Sequence, residues 1–508
     1  MEMQNFAPVM FAGLVIIMLI GFPVAFSLAA LGLGSGFFAI SQGWFPAAFM
    51  GNLPISIFSI LNNELLLAIP FFTFMGTILE KCGLAEDMLD SMGQLFGPVR
   101  GGLGYSVIIV GFILGAITGT VAGQVIAMAL ISLPVMIRYG YNMRYATGVL
   151  AASGTITQLV PPSLVLVVLA DQLGKPVGDM YKGAWGPSII QIALFAAFTF
   201  ALGMIKPHYV PGVPKEARTL NGWALWFKCF KGIVPCAALI FIVLGSMGGL
   251  PLQSRAIATP TEAGAMGVVG AMLLAAMNRR LTLALLWEAM HGTMRLTAMV
   301  VFILIGSRVF SQVFQGVDGS VWVEHLLTGL PGGQVGFLIV VNIFVFFLAF
   351  FLDFFEIAFI IVPMLAPVAA KLGIDLVWFG VILCVNLQTS FMHPPFGFAL
   401  FYLRGIADTL YKEKRIPVPV LSNDIYLGAI PWVIMQLILV AIVIFIPQTV
   451  TVFLDKEIKF DIDKVKIEMP VEAPAVAASG AGPLVPLDPG AADAAEQQKI
   501  DDLFKEKK

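Results

Sequence analysis

Long apolar runs separated by short polar loops dominate the chain. The clearest runs lie at residues 6–20, 22–40, 189–205, 233–247, 294–305 and 335–352. Alone or with their neighbours, these runs are long enough to form helices across about 30 Å of hydrocarbon. The pattern predicts an all-α polytopic membrane protein with about ten to twelve membrane segments.

Composition supports this fold class. Of the 508 residues, 59% are hydrophobic and only 12% are charged, against roughly 25% charged residues in soluble domains. No Lys or Arg precedes Lys81, so the first run lacks the basic start of a cleavable signal peptide and is expected to remain as a membrane helix. A net charge of -2 argues against nucleic acid as a partner and leaves the lipid bilayer as the surrounding medium.

The cysteines give no sign of a metal centre or a disulfide framework. Cys82, Cys229, Cys236 and Cys384 show neither CxxC spacing nor a neighbouring histidine cluster. Such isolated cysteines are expected to be packing residues. No metal site is therefore predicted from them.

Charge along the chain predicts its orientation. Residues 206–231 carry five basic residues against one acid, which places this segment in the cytoplasm by the positive-inside rule. Two further crossings, at 233–247 and 261–277, return Arg279 and Arg280 to the same side. The two assignments therefore support each other.

Two stretches of the chain share one plan. "GTITQLVPPSLVLVVLADQL" (154–173) and "NLQTSFMHPPFGFALFYLRGI" (386–406) each combine small and hydroxyl residues, a Pro-Pro pair and a long apolar run. Each follows an apolar helix punctuated by prolines. Two copies of one unit are predicted, and interrupted helices at corresponding places of duplicated membrane units indicate the binding site of a secondary transporter.

The Pro-Pro pairs predict breaks in two membrane helices. Pro161-Pro162 and Pro394-Pro395 remove backbone donors and push the preceding residues out of helical geometry. Hydrocarbon tolerates such breaks only where the freed backbone faces protein, water or an ion. We therefore expect re-entrant helical hairpins around both pairs, presenting carbonyls to a cation and a helix N-terminus to an anion.

Side chains with neutral oxygens flank both breaks and suit a desolvated Na⁺. They are Ser153, Thr155, Thr157, Gln158 and Ser163 in the first unit, and Asn386, Gln388, Thr389 and Ser390 in the second. The alternative is that the hydroxyls lie at close helix–helix contacts. Thr118 and Thr120 could likewise belong to an ion site or to a close helix–helix contact. The second alternative arises because they lie among small residues, Gly115, Gly119, Ala122 and Gly123.

Two acids lie in the apolar stretch before the second Pro-Pro pair. Asp353 and Glu356 are spaced i, i+3 and would share one helix face. Acids at membrane depth are candidates for function. The alternative is a structural ion pair with Arg295 or Arg308.

At these residues the chain resembles a known family. The motifs "GAITGTVAGQ", "SGTITQLVPPS", "ATPTEAGAMG", "FFLDFFEIAFIIVP" and "NLQTSFMHPPFGFALFYLRG" occur in this order. They resemble the large membrane subunit of tripartite ATP-independent periplasmic (TRAP) transporters, the DctM family, and most of all its mannitol/chloroaromatic-like branch. The similarity covers residues 6–446.

The resemblance implies a mechanism and partners. It implies an elevator-type transporter of the bacterial inner membrane with inverted repeats and two helical hairpins. It also implies a small four-helix membrane subunit and a periplasmic substrate-binding protein. Uptake would be driven by Na⁺ as the coupling ion, without an organic cofactor, and the substrate would be a small carboxylate.

Carried onto this sequence, the resemblance implies two Na⁺ sites. The first would use Thr118 or Thr120 with backbone carbonyls from Thr157 through Val160 to Pro161. The second would use the segment from Gln388 to His393, with Thr389 and Ser390, and the helix that contains Asp353. The candidates for substrate binding are Ser153, Thr155, Ser163, Asp353, Glu356 and Asn386.

The chain departs from the family pattern at two positions. Thr157 stands where the family usually has Gly, and His393 stands where it usually has Thr. An imidazole is a poor ligand for a hard alkali cation, so the second site would be altered if that side chain coordinates the ion. A neutral His393 could instead contact a substrate carboxylate or carry a proton, or a backbone carbonyl at the hairpin tip could satisfy it.

Two rival functions are considered. A stand-alone ion-coupled organic anion symporter of similar design would need no partner subunit. An intramembrane enzyme is disfavoured, because HExxH, GxSG and paired-Asp motifs are missing from the sequence and the single "EAMH" cannot build a di-iron site. The sequence has no Walker A motif, so the chain does not hydrolyse ATP itself.

The domain plan follows from these assignments. Residues 1–60 form N-terminal scaffold helices, and 61–205 form the first repeat. Residues 206–257 form the basic loop and a scaffold helix, and 258–447 form the second repeat. Residues 448–508 are charged and rich in Ala, Pro and Gly, which predicts a disordered tail.

Overall fold

The computed structural model describes residues 3–214, 222–251, 253, 255–350, 352–395 and 397–454, without the side chains of Gln4, Ile117 and Thr118. Within these residues the secondary structure is helical and contains no strand. The prediction of an all-α protein is confirmed. Most of the predicted tail, residues 455–508, lies outside the described residues.

The helices follow one another with short connections. In chain order they are α1 Phe6–Ile20, α2 Val24–Ser41, α3 Leu53–Leu61, α4 Glu64–Lys81, α5 Leu84–Leu95, α6 Gly102–Thr118, α7 Val121–Arg138, α8 Met143–Thr155, α9 Leu164–Leu173, α10 Val177–Ile205, α11 Trp223–Ser246, α12 Pro260–Met277, α13 Leu283–Gly316, α14 Gly319–Thr328, α15 Gly333–Leu348, α16 Phe354–Glu356, α17 Val362–Lys371, α18 Leu376–Ser390, α19 Phe398–Lys412, α20 Ser422–Phe445 and α21 Gln448–Thr451. A π-helical turn, Ile357–Ile361, joins α16 to α17.

Many of these helices are long and apolar enough to cross a membrane. In the described part of the chain 8 meet this condition alone, and up to 10 if each bent pair is one span. The apolar run at 294–305 lies inside α13, which has 34 residues. The chain is therefore a multi-pass membrane protein.

Basic side chains collect at one end of the helices, named here the basic face. The start of α6 and the start of α8 meet the end of α10 there, through Gly101 N to Val210 O at 2.9 Å and Asn142 N to Tyr209 O at 2.9 Å. Arg144 also bonds Asp424 of α20 at 3.1 Å. Lys206 and Arg138, at the ends of α10 and α7, belong to the same face.

The opposite face contains the other ends of these helices. There the amide of Asn63, at the start of α4, donates to Asp171 near the end of α9 at 2.8 Å. Trp378 of α18 donates to the carbonyl of Val443 near the end of α20 at 2.8 Å. Because α20 has 24 residues, its ends are separated by about 36 Å.

Two helix pairs return to the face from which they start. In the first pair, α6 and α7, the backbone N–H of Leu103 donates to the hydroxyl of Tyr141 at 3.2 Å, so both outer ends lie at the basic face. In the second pair, α15 and α17, Gln334 donates to the carbonyl of Leu372 at 2.8 Å. This pair starts from the opposite face. The tips lie between the end of α6 and the start of α7, and between the end of α15 and the start of α16.

The helices with the Pro-Pro pairs cross between the two faces instead. Helix α10 follows α9 directly, has 29 residues and so spans about 43 Å back to the start of α8. The end of α9 and the start of α8 are therefore at opposite faces. Helices α18 and α19 cross in the other direction, because α19 bonds the start of α20 through Arg404 and Ser422.

The predicted hairpins around Pro161-Pro162 and Pro394-Pro395 are therefore corrected. Both pairs do interrupt helices, and both Pro-Pro peptide bonds are cis. The helix resumes in the same general direction after each interruption, and the hairpins are formed by the preceding helix pairs. A proline removes a helical hydrogen bond, but packing against α10 and α20 decides where the chain goes next.

The ordered chain continues beyond residue 447, where the tail was predicted to begin. Helix α21 packs on α10, with Val450 fully buried. A Cβ at Gly183 of α10 would stand 2.9 Å from Val450 Cγ1. Residues 448–454 thus belong to the helical part of the molecule.

Candidate ion and substrate site

The tip of the first hairpin packs against the first broken helix. Gln124, in the first turn of α7, donates its amide hydrogens to the carbonyls of Gly111 at 2.6 Å and Ser153 at 2.8 Å. A Cβ at Gly115 would stand 3.3 Å from the Cα of Thr157. Small residues thus let the backbones of α6 and the break approach closely.

The first break contains buried carbonyls to which no described residue donates a hydrogen bond. Leu159 and Val160 are at most 1% exposed, and Pro161 is also buried. In the described part of the chain, their three carbonyl oxygens accept no hydrogen bond. Each such group costs several kcal/mol in hydrocarbon, and a hard cation prefers oxygen ligands of this kind.

The hydroxyls around the first break have different roles. Thr157 donates to the carbonyl of Gly154 at 3.1 Å and keeps its oxygen lone pairs. Ser163 instead caps α9 by accepting from Val165 N at 3.2 Å, and Ser153 donates to the carbonyl of Leu150 at 3.1 Å. Ser163 and Ser153 are thus engaged in local helix bonds.

Thr118 and Thr120 lie at the hairpin tip beside this break. Thr120 is the N-cap residue of α7, four residues before Gln124, and its side chain forms no capping bond. The side chain of Thr118 lies outside the described residues, although its backbone ends α6. The C-terminus of α6 and the N-terminus of α7 therefore meet at the first break, with opposite dipole ends.

The second break satisfies part of its backbone internally. The carbonyl of Phe391 accepts from Ala399 N at 3.0 Å, and that of His393 accepts from Gly397 N at 2.6 Å. The hydroxyls of Thr389 and Ser390 donate to carbonyls of α18 at 2.7 Å and 2.6 Å. Two carbonyls of this break are therefore paired within the break itself.

His393 lies in an aromatic box at the tip of the second hairpin. Its ring centroid is 4.3 Å from that of Phe346 and 4.2 Å from that of Phe350, and the residue is 1% exposed. Among the described residues, neither ring nitrogen has a hydrogen-bond partner. No backbone carbonyl of the described residues bonds the imidazole.

Asp353 and Glu356 lie in the first turn after the same hairpin tip. The backbone N–H of Asp353 donates to Glu356 Oε2 at 3.1 Å. Asp353 lines a cavity of about 450 Å³ with Ser390 and Phe350. Glu356 is 7% exposed, so both acids are held at the tip by helix-start geometry.

The suggested ion pair with Arg295 or Arg308 is not formed. Within the described residues neither arginine lies within ion-pair distance of an acid. Arg308 lines a different cavity from that of Asp353. The acids are the N-cap and N3 residues of a helix start, where they form a capping box.

Polar contacts join the two breaks into one cluster. The thiol of Cys384 on α18 lies 3.1 Å from the carbonyl of Gln158 in the first break. Gln436 of α20 donates to Thr155 at 3.0 Å, and Thr155 lies 3.6 Å from the sulfur of Met392. The interrupted regions of the two units are therefore in direct contact.

Several amides that were not predicted from the sequence organise this cluster. Gln191 of α10 donates to Gln388 at 2.7 Å, and Asn386 donates to the carbonyl of Asn342 on α15 at 2.8 Å. Gln124 and Gln436 have the same bridging role. Their signal in the sequence is a lone amide in an apolar helix, a common bridge between membrane helices.

Comparison with known proteins now identifies the family. The sequence profile described as "Tripartite ATP-independent periplasmic transporter, DctM component" matches residues 11–449. The chain belongs to the DctM family. The match covers nearly all of the helical part, from within α1 to within α21, and includes both broken helices.

Curated relatives of this DctM chain come from several bacteria. The C4-dicarboxylate TRAP transporter large permease protein DctM of Rhodobacter capsulatus is 28% identical over 458 residues, covering 87% of this chain and 97% of the relative. The 2,3-diketo-L-gulonate TRAP transporter large permease protein YiaN of Escherichia coli is 24% identical and covers 85% of this chain and 95% of the relative. The isethionate TRAP transporter permease protein DctMQ of Oleidesulfovibrio alaskensis is 24% identical, covering 82% of this chain and 63% of the relative.

Among solved structures, the crystal structure of the Alcanivorax borkumensis YdaH transporter is similar to this DctM chain. Its TM-score is 0.55 at 13% sequence identity, covering 85% of this chain and 97% of the other. This similarity concerns the fold alone. The family and its relatives are transporter permeases, which confirms the prediction of a transporter rather than an enzyme.

Proposed function

We propose that the chain is the large permease subunit of a Na⁺-coupled importer for a small organic acid in the bacterial inner membrane. The observation that carries this proposal is the set of buried, unpaired carbonyls at residues 159–161 where helix ends converge. Such an arrangement binds a desolvated cation and orients an anion beside it. The substrate would be a carboxylate that a periplasmic protein delivers.

The first Na⁺ site would lie between the first hairpin tip and the first break. The carbonyls of Leu159, Val160 and Pro161 supply oxygen ligands. Thr157 adds a hydroxyl oxygen that keeps free lone pairs. Thr120 and the backbone end of α6 complete the set from the hairpin side.

The second Na⁺ site would lie where Asp353 and Ser390 line one cavity. Gln388 and Thr389 precede Ser390 on the last turn of α18 and would join the site from that turn, although they do not line the cavity. We place the imidazole of His393 outside the ligand set, because nitrogen suits a hard alkali cation poorly and the ring lies between two Phe side chains. The substrate carboxylate would lie between the two sites, near Thr155 and Asn386.

Inverted repeats and an elevator movement are part of the same proposal. Support for the repeats comes from hairpins that start at opposite faces and broken helices that cross in opposite directions. Support for the movement comes from the polar contacts between the breaks, such as Cys384 with Gln158. These contacts make α6–α10 and α15–α20 one candidate moving body against α2, α4 and α13.

Partners and substrate class follow from the family. Its description as tripartite supports a small four-helix membrane subunit and a periplasmic binding protein as partners. The relatives named above transport C4-dicarboxylate, 2,3-diketo-L-gulonate or isethionate by their names, and all three are small organic anions. The mannitol/chloroaromatic-like branch remains a prediction from sequence.

Reconstitution of uptake tests this function. The chain would be purified with its proposed small membrane subunit and placed in proteoliposomes with the proposed binding protein outside. Uptake of labelled succinate and isethionate is expected only with the binding protein and an inward Na⁺ gradient. Unchanged uptake with choline in place of Na⁺ contradicts sodium coupling, and uptake without the binding protein favours the stand-alone symporter.

A further inference from the structure

A polar cavity lies on the opposite face, away from the hairpin tips. Its volume is about 290 Å³. Helices α3, α4 and α13 border it on one side, and α9 and the helix from Phe354 to Lys371 border it on the other. Its polar lining consists of Ser59, Asn63, Asp171, Gln172, Ser307, Arg308, Ser311 and Gln315.

Arg308 lies far from the basic face. Helix α13 starts at Leu283, and Glu288 in its first turns pairs with Lys81 at the end of α4. Arg308 follows Leu283 by 25 residues (308 − 283), a rise of about 38 Å. Its guanidinium is therefore a positive charge near the periplasmic side if the basic face is cytoplasmic.

Among the described residues, the acid in the cavity forms no ion pair with this charge. Asp171 accepts from Asn63 at 2.8 Å through one oxygen and from Gln172 at 2.8 Å through the other. Within the described residues Arg308 forms no ion pair and is exposed. A free guanidinium offers a planar fork of donors that matches a carboxylate.

The position of the cavity connects it to the central cluster. Asp171 lies 7 residues beyond Leu164 (171 − 164), the first residue of α9 after the first break, a rise of about 11 Å. The π-turn residue Phe359 on the other wall follows the second hairpin tip. The two helical segments that form this side of the cavity, α9 and the helix from Phe354 to Lys371, therefore both lead directly to the candidate ion sites.

We propose that this cavity, with Arg308 as its anchor, is an entry site where a small carboxylate binds before it reaches the central cluster. The identity of the ligand class rests on the proposed function. Ser311 and Gln315 add neutral hydrogen-bonding groups one and two turns further along the same helix face. Arg308 would hold the carboxylate through its guanidinium fork, because Asp171 already accepts from two amides.

Charge-selective labelling of the cavity tests the site without measuring transport. The four native cysteines are buried, so Ser311→Cys adds one accessible thiol to the full chain in proteoliposomes. An anionic and a cationic methanethiosulfonate of similar size are applied from the outside. We expect Arg308→Gln to lower the ratio of anionic to cationic labelling rates about tenfold, and Arg308→Lys to preserve most of it.

Arg295→Gln is the matched control. It removes an exposed arginine of the same helix that does not line the cavity. It lies 16 residues from Ser311 (311 − 295), about 24 Å along the axis and beyond the screening length of about 8 Å at physiological salt. The labelling ratio is expected to stay unchanged.

Ligand protection completes the test. Succinate is expected to slow labelling by both reagents when Arg308 is present, and neutral succinamide is not. The entry site is overturned if Ser311→Cys is not labelled, if Arg308→Gln leaves the ratio unchanged, or if succinate gives no protection. Each of these results counts even when the preparation shows uptake. Protection in a preparation that imports no organic acid retains the site and overturns the proposed function instead.

Discussion

The carboxylate of Glu80 lies directly against the backbone of Gly123, where a Cβ would stand 2.1 Å from Oε2. Glu80 is near the basic-face end of α4, and Gly123 is in the first turn of α7, just beyond the first hairpin tip. A helix N-terminus carries a partial positive charge. The contact thus places an acid of α4, in the proposed stationary part, at the positive end of α7, in the proposed moving part.

Gly123→Ala is expected to displace this carboxylate. The added methyl group would overlap Glu80, so the hairpin and α4 could not keep their present distance. We expect uptake in proteoliposomes to fall at least about tenfold, equivalent to about 1.4 kcal/mol. Adding Glu80→Ala removes the overlap and should restore part of the rate, whereas no recovery in the double variant contradicts this reading of the contact.

Gln124→Leu is expected to destabilise the first hairpin. The substitution removes the two hydrogen bonds from the Gln124 amide to the buried carbonyls of Gly111 and Ser153, at about 0.5–1.5 kcal/mol each. The midpoint of thermal unfolding in detergent should fall by several degrees. Gln334→Leu serves as control because it removes a hydrogen bond at the exposed base of the other hairpin, and an equal loss in both variants would argue against a special role for Gln124.

Na⁺ is expected to stabilise the chain through the first break. A ligand that binds only the folded state raises the unfolding midpoint with its concentration, so Na⁺ should raise it relative to choline. Thr157→Val removes one proposed ligand oxygen and should weaken the Na⁺ response severalfold. Thr409→Val removes an exposed hydroxyl that bonds its own helix, and its Na⁺ response should match that of the native chain.

His393→Phe is expected to separate stability from transport. Phe fills the space between Phe346 and Phe350 and removes two buried nitrogens without partners, so the unfolding midpoint should stay equal or rise. Uptake should fall if the imidazole contacts substrate or carries a proton during the cycle. Unchanged uptake would assign His393 to packing alone.

His393→Thr addresses the departure from the family pattern. Threonine introduces a hydroxyl oxygen at the second break, and the concentration of Na⁺ for half-maximal uptake should fall if His393 displaced a ligand. The smaller side chain also leaves a cavity between two aromatic rings, at a cost of about 2–4 kcal/mol. A lower unfolding midpoint with an unchanged Na⁺ dependence would support a purely structural position.

Local features of this fold were readable from the sequence. The first apolar run coincides with α1, Phe6–Ile20. A continuous apolar run in hydrocarbon forms a helix, because a helix satisfies all its backbone hydrogen bonds within the segment. Both helix breaks were located for a similar reason, since consecutive prolines cannot continue a helix. These predictions depend on neighbouring residues only.

The direction of the chain after each break was not readable. Whether a helix returns or crosses depends on contacts such as Trp378 with Val443, which join residues far apart in sequence. The acids show the same limit, because the spacing from Asp353 to Glu356 fits a helix face as well as a helix start. The pattern of an N-cap residue followed three positions later by Glu was the signal that favoured the helix start.

The bond from Cys384 to the carbonyl of Gln158 would couple ion binding at the two proposed Na⁺ sites. The carbonyl belongs to the loop of one break and the thiol to the helix that leads into the other. A cation that reorients the first loop must therefore alter a hydrogen bond of the second unit. A coupling free energy of about 1.4 kcal/mol across this bond would change the Na⁺ affinity of the second site tenfold once the first site is filled. The two proposed sites should then bind Na⁺ cooperatively.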